Sequence, residues 1–217
     1  MRTTKSLLLV SALMVGSIGG RAFGATVDKQ SFKGSQAATF FSGSGTVACA
    51  GGGSGTVFAS GMLSGSQSIT KDTGSPKTVS NGVFVEIDSY SNSCPGAPPF
   101  GFATGGFADG FTPPNPHLNS AELAGTTTVQ DFDSGATLAV SIDLVFEGTG
   151  PLTSGKNNTK TRTTGPVTIT ITHSANANRA ADVSGTISIG GVALDATFNT
   201  STLSSNANTT ITITKNH

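Results

Sequence analysis

The chain has 217 residues, a formal charge of zero, 29 glycines, one tyrosine and no tryptophan. That length allows one sizeable core or two small ones. With only 11% charged residues in balanced number, nothing draws the protein toward DNA, RNA or anionic lipid, and nucleic-acid binding is set aside.

Residues 1–24 have the three parts of a bacterial-type secretory signal. Arg2 and Lys5 form a positive end, Leu7 to Ile18 an apolar run, and Ala22-Phe23-Gly24 a small-residue cleavage site, although Arg21 beside it leaves the cut unfixed. The apolar run is shorter than the about 20 residues a membrane-spanning helix needs. The mature chain, residues 25–217, is expected to be secreted, periplasmic or extracellular, with no transmembrane segment. It is read as one domain, with two halves meeting near 112–117. Loss of Arg2, Lys5 and Arg21 leaves it slightly acidic.

After residue 25 the apolar residues alternate at period two, the pattern of half-buried strands. Strands are predicted near 38–49 and 55–63, separated by Gly51-Gly52-Gly53. Val83, Val85 and Ile87 alternate with Phe84, Glu86 and Asp88. Cys49 and Cys94 are the only cysteines. A lone pair in an oxidising compartment is expected to form a disulfide, and no histidine lies near them to complete a metal site. Pro95 to Pro99 break the chain, and Phe100, Phe102, Phe107 and Phe111 punctuate a Gly-rich stretch. These rings suit core packing or the plugging of one end of the fold, with an exposed apolar loop as the sharper alternative.

Beyond the break at Pro113 to Pro116, strands are predicted at 119–130 and 138–146. Gly150-Pro151-Leu152-Thr153-Ser154-Gly155-Lys156 matches the opening of a phosphate-binding loop, but Asn157 stands where magnesium needs Ser or Thr and no helix follows. It is read as a connection between two strands. Val167 to Thr172 and Thr209 to Thr214 alternate Val or Ile with Thr, and Gly190-Gly191 marks a tight hairpin between 183–189 and 192–199. The Thr rows are read as solvent-facing strand residues.

Many short strands with Gly, Pro and Asn turns predict an all-β, antiparallel sandwich of jelly-roll-like or immunoglobulin-like type. An outer-membrane barrel is disfavoured by the lack of aromatic girdles.

The order Phe146 to Leu152, an Asn-rich loop, then Asn178-Arg179-Ala180 and Ser184-Gly185-Thr186 resembles a loose group of secreted bacterial β-rich proteins without an assigned activity. The resemblance covers the C-terminal half and implies export and β-structure, with no mechanism.

Catalytic patterns are sparse. No Gly-x-Ser-x-Gly elbow occurs, and His117, His173 and His217 lack the spacing of zinc ligands. Three carboxylate pairs share strand faces: Glu86 with Asp88, Asp131 with Asp133, and Asp143 with Glu147. Asp131-Phe132-Asp133-Ser134-Gly135 resembles a short acidic turn, which makes Asp131 and Asp133 the candidate ligands for calcium, the one cofactor considered. The expected function is non-catalytic: a secreted or cell-surface protein with a structural, adhesive or partner-binding role toward cell-surface or matrix components. The alternative is an extracellular hydrolase acting on polysaccharide through a carboxylate pair.

Overall fold

The computed structural model describes residues 29–97, 100–158, 161–164 and 167–215; the signal-like segment, Pro98-Pro99 and His217 lie outside them. Among the described residues eleven strands follow in chain order: β1 (Lys29–Ala48), β2 (Ser54–Asp72), β3 (Thr78–Asn92), β4 (Ala103–Ala108), β5 (Phe111–Thr112), β6 (Ser120–Asp131), β7 (Thr137–Asn158), β8 (Arg162–Thr164), β9 (Val167–Ile189), β10 (Val192–Ala193) and β11 (Asp195–Lys215). Every pairing is antiparallel.

The expected all-β, antiparallel character is what the structure has. Its layering is simpler than the jelly-roll or immunoglobulin plan, which cross strands between two sheets. Each long strand pairs with the next along the chain, from β1 through β2, β3, β4, β6, β7 and β9 to β11, and β11 pairs back onto β1. The hydrogen-bonded path returns on itself, so one meandering sheet closes into a barrel. Two seams along the core carry no ladder pairs: between residues 181–187 of β9 and 195–201 of β11, and between 105–108 of β4 and 124–129 of β6. β1 to β5 from the first half of the sequence fill one contiguous arc of this single ring, and β6 to β11 from the second half fill the other.

β4 and β5 are one strand interrupted at Asp109-Gly110. Ala103↔Asp131 and Phe111↔Leu123 keep the same register on β6. The Gly190-Gly191 turn forms the expected hairpin, pairing Val192 with Ile189. Cys49 and Cys94 are bridged, with Cα atoms 5.4 Å apart. The bridge ties the β1–β2 turn to the end of β3. Gly55 must stay small there, since a Cβ would stand 2.8 Å from the Cys94 sulfur.

The apolar stripes point inward. Val57, Ala59 and Leu63 of β2, Val83, Val85 and Ile87 of β3, Leu144 and Phe146 of β7, and Ile187 and Ile189 of β9 are buried in one core. This core fills only part of the strands' length. It ends at a row formed by Val83, Gly65, Ala37 and Leu203, with Arg179 beside them on β9. The loop after β5 crosses that end of the core. Leu118 is fully buried and adopts a left-handed φ of 51°, which Asn115 stabilises by accepting hydrogen bonds from the His117 and Asn119 N–H groups. Arg179 clamps the loop, donating to the His117 carbonyl and to Asn119 Oδ1 at 2.8 Å. Phe111 plugs the same end by lying against Gly65.

Beyond that row β1, β2, β3, β7, β9 and β11 continue as an open flange of sheet. Residues 29–36, 66–72, 150–158 and 204–211 are only partly buried or exposed on both faces. Gly150 to Lys156, read as a connection, belongs to β7 itself, with a register shift between Thr149 and Thr153 and a φ of 66° at Gly150. The two Thr-rich segments pair with each other, Thr214 opposite Thr168.

Candidate functional site

Alternation puts most carboxylates outside, because each sits between two core residues on its strand. Glu86 lies between Val85 and Ile87, and Asp143 between Ile142 and Leu144. The Glu86 carboxyl is raised above its ordinary range, first by partial burial and then by the neighbouring Asp88. Asp143 is paired across the ladder with Ala124 and Thr186, and Glu147 with Ser120 and Asp182. β3, which carries Glu86 and Asp88, is separated from β7, which carries Asp143 and Glu147, by β4 and β6. The three predicted pairs therefore stay apart. Of the described histidines, His117 sits in the loop over the core. The exposed His173 ring nitrogen Nδ1 is 2.7 Å from Asn158 Oδ1.

Asp131 and Asp133 do come together, at the β6–β7 turn. Asp131 is only 2% exposed, and its carboxylate holds the turn. Oδ2 accepts the Gly101 N–H at 2.9 Å and the Ser134 hydroxyl at 2.8 Å, and Oδ1 accepts the Asp133 N–H at 2.9 Å. These donors, the Gly101 amide foremost, lower its pKa below the usual carboxylate value. Oxygens of both aspartates face one point, 3.6 and 3.7 Å from where a Cβ on Gly101 would stand. A hollow of about 340 Å³ opens there, lined by Phe100, Gly101, Asp131, Asp133 and Ser134. Calcium takes about six to eight oxygens. Among the described residues no group of three or more His, Cys, Asp or Glu gathers, so these two carboxylates would need carbonyls or water to complete a shell. The Phe-rich stretch divides: Phe111 is buried, Phe100 packs edge-on against Tyr90 at 5.3 Å, and Phe102 stacks on the exposed Phe132 at 5.7 Å.

A second hollow, of about 330 Å³, lies on the flange, on the sheet face opposite the core. The ladder builds it from two rows. One runs Asn176, Asn206, Gly34, Ser68, Ser80 across β9, β11, β1, β2 and β3, with Gly155 of β7 next in the row beyond Asn176. The next runs Asn178, Ser204, Gln36, Ser66. Phe32, two residues before Gly34 on the same face, closes one side. The glycines matter locally. A Cβ on Gly34 would collide with Asn206 Oδ1, and one on Gly155 would meet Asn176 Oδ1. The two amides lie down over positions that have no side chain.

Every described residue lining this hollow is uncharged. Among the described residues the side-chain amides of Gln36, Asn176, Asn178 and Asn206 make no hydrogen bond within the protein. Those of Asn81, Asn92, Asn115 and Asn119 are committed to backbone groups or to Arg179. Sequence reasoning missed the hollow, yet a signal was present. Ser174-Ala175-Asn176-Ala177-Asn178 and Ser204-Ser205-Asn206-Ala207-Asn208 are near-repeats, and period two places their Ser and Asn side chains on one face of paired strands.

Among the described residues no helix is long and apolar enough to cross a membrane. Comparison of the chain with protein-family models, with curated proteins and with solved structures gave no match.

Proposed function

We propose that this is an exported, non-catalytic β-barrel protein that binds a partner at the cell surface or in the surrounding matrix. Export is supported by the signal-like residues 1–24 and by the Cys49–Cys94 bridge, which suits an oxidising compartment. One observation carries the binding role. The flange hollow presents four side-chain amides not engaged by the protein, set among hydroxyls, with no titratable group in its lining. Such a surface donates and accepts hydrogen bonds, and general acid–base catalysis needs a group that exchanges a proton near working pH. Its neutrality also disfavours nucleic acid, whose phosphates call for Lys or Arg.

The test separates binding from turnover. Purified residues 25–217 are incubated with a panel of polysaccharides and cell-wall fractions, and both retention and released reducing ends are measured. Retention without release is the expected result. Release that disappears in Asp143→Asn or Glu147→Gln would instead establish a carboxylate-dependent hydrolase.

A further inference from the structure

We infer that the flange hollow is a binding site for a neutral oligosaccharide, with Asn176 and Asn206 as its hydrogen-bonding centre and Phe32 as its stacking wall; this rests on the binding role proposed above. Paired residues on adjacent strands stand about 5 Å apart. From the neighbours Asn176 and Asn206 one amide leans toward Gly155 on β7 and the other toward Gly34 on β1, so the two spread hydrogen-bonding groups along the row. Each amide presents an acceptor oxygen and two N–H donors. Vicinal hydroxyls of a pyranose need that mixture, because every hydroxyl both donates and accepts. Gln36 and Asn178 extend the same chemistry along the next row, and Ser68 and Ser66 continue it toward β3. Phe32 supplies an aromatic surface at the edge: one ring carbon lies 3.1 Å from where a Cβ on Gly34 would stand. A ring beside a row of amides suits a sugar, which has one apolar C–H face and a polar rim.

Other ligand classes fit less well. A peptide docking as an added strand needs unpaired backbone groups, but the hollow lies on the face of the sheet, and β1, β11 and β9 here have neighbours on both sides. An acidic polymer would want cations, and the lining has none. The volume, about 330 Å³, is at the small end of ligand sites, about 300–1,000 Å³, the size of one or two sugar rings with the rest of a chain running outward.

The experiment measures binding of cellohexaose, xylohexaose, mannohexaose and maltohexaose to residues 25–217 by calorimetry, with hexagalacturonate as a charged comparison. At least one neutral hexasaccharide is expected to bind. Replacing both amides (Asn176→Ala with Asn206→Ala) is expected to weaken it about tenfold or more, since two neutral hydrogen bonds are lost. Phe32→Ala should weaken it as well, whereas Phe58→Ala, at an exposed ring farther along β2, should leave it unchanged. All these positions face outward, and unchanged melting curves will confirm that the variants fold. Lack of binding by every neutral sugar, preference for the charged one, or affinity indifferent to the Asn and Phe32 changes would overturn the inference, while partner binding would still be judged by the retention assay. Cleavage of a bound sugar would overturn the non-catalytic reading and leave the site in place.

Discussion

The contact between Gly65 and Phe111 offers a sharp test of how one end of the barrel is closed. Gly65 is on the inward face of β2, and a Cβ there would stand 2.7 Å from Phe111 Cγ and 3.0 Å from Cε2, with Cδ2 nearer still. Carbon atoms pack at about 3.5–4.0 Å, so Gly65→Ala must push the ring by about an ångström. Phe111 is 3% exposed, and its backbone is held through Asn81, whose Nδ2 donates to the Phe111 carbonyl at 2.6 Å. Overpacking of this kind costs about 1–3 kcal/mol. Phe111→Ala alone should cost about 3–5 kcal/mol from the lost ring and the void it leaves. In the Phe111→Ala background the new methyl enters empty space. Gly65→Ala should then be neutral or stabilising by about 0.5 kcal/mol, because alanine restricts the unfolded chain more than glycine does. The effect of one methyl thus changes sign with the presence of the ring. Urea unfolding followed by far-ultraviolet circular dichroism would measure all four proteins, with equal slopes as the check on two-state behaviour. Additive effects within about 0.5 kcal/mol, or a Gly65→Ala protein more stable than the parent, would refute the packing of this plug.

Three further outcomes follow from the same geometry. Removing the bridge with Cys49→Ser and Cys94→Ser opens a 45-residue loop and should destabilise by about 4 kcal/mol in the chain-entropy account; a melting temperature within about 2 °C of the parent would contradict it. Thr39 and Ser201 form a buried hydroxyl pair 2.7 Å apart beside the register shift in β1. Thr39→Val strands the Ser201 hydroxyl and should cost about 1–3 kcal/mol in the same urea titration, and an unchanged midpoint would show the pair to be unimportant. Asp131, with its pKa held below 3.8 in the folded protein, adds stability that is present above pH 3.8 and is lost as pH falls through the depressed value. Asp131→Asn should therefore lower the melting temperature near neutrality, with the gap to the parent closing below about pH 4; a gap independent of pH would rule out the carboxylate as its source.

The sequence was most legible where one face of a strand is dry. Leu138 to Phe146 and Val83 to Ile87 alternate because every second side chain enters the core, and both were recognised as strands. The flange escaped notice for the complementary reason. At Ser174 to Asn178 and at Ser204 to Asn208 Ser and Asn alternate with nothing larger than Ala or Ser, so no bulky apolar stripe marks the inner face, and β9 and β11 each looked like two short strands with a loop between. Short strands suggest crossing sheets, whereas strands of 20 or more residues can run the length of a barrel and continue past it. Closure itself rests on pairings such as Gly34 with Asn206, more than 150 residues apart in sequence, which no local pattern encodes. The bridge and the Gly190-Gly191 hairpin were legible because each depends on residue type at one place. The Asp131 turn was seen as an acidic motif, but its role in holding the Gly101 amide depends on a contact across the fold.

The hollow exists only if β1, β11, β9 and β7 lie side by side in the register described, so the most direct measurement is a set of interstrand nuclear Overhauser contacts in isotope-labelled protein. Cross-peaks linking Gly34 to Asn206, Asn206 to Asn176, and Asn176 to Gly155 are the predicted result. Contacts that leave β11 unpaired with β1 or β9, or that pair them one residue out of step so that these Asn side chains turn inward, would contradict it.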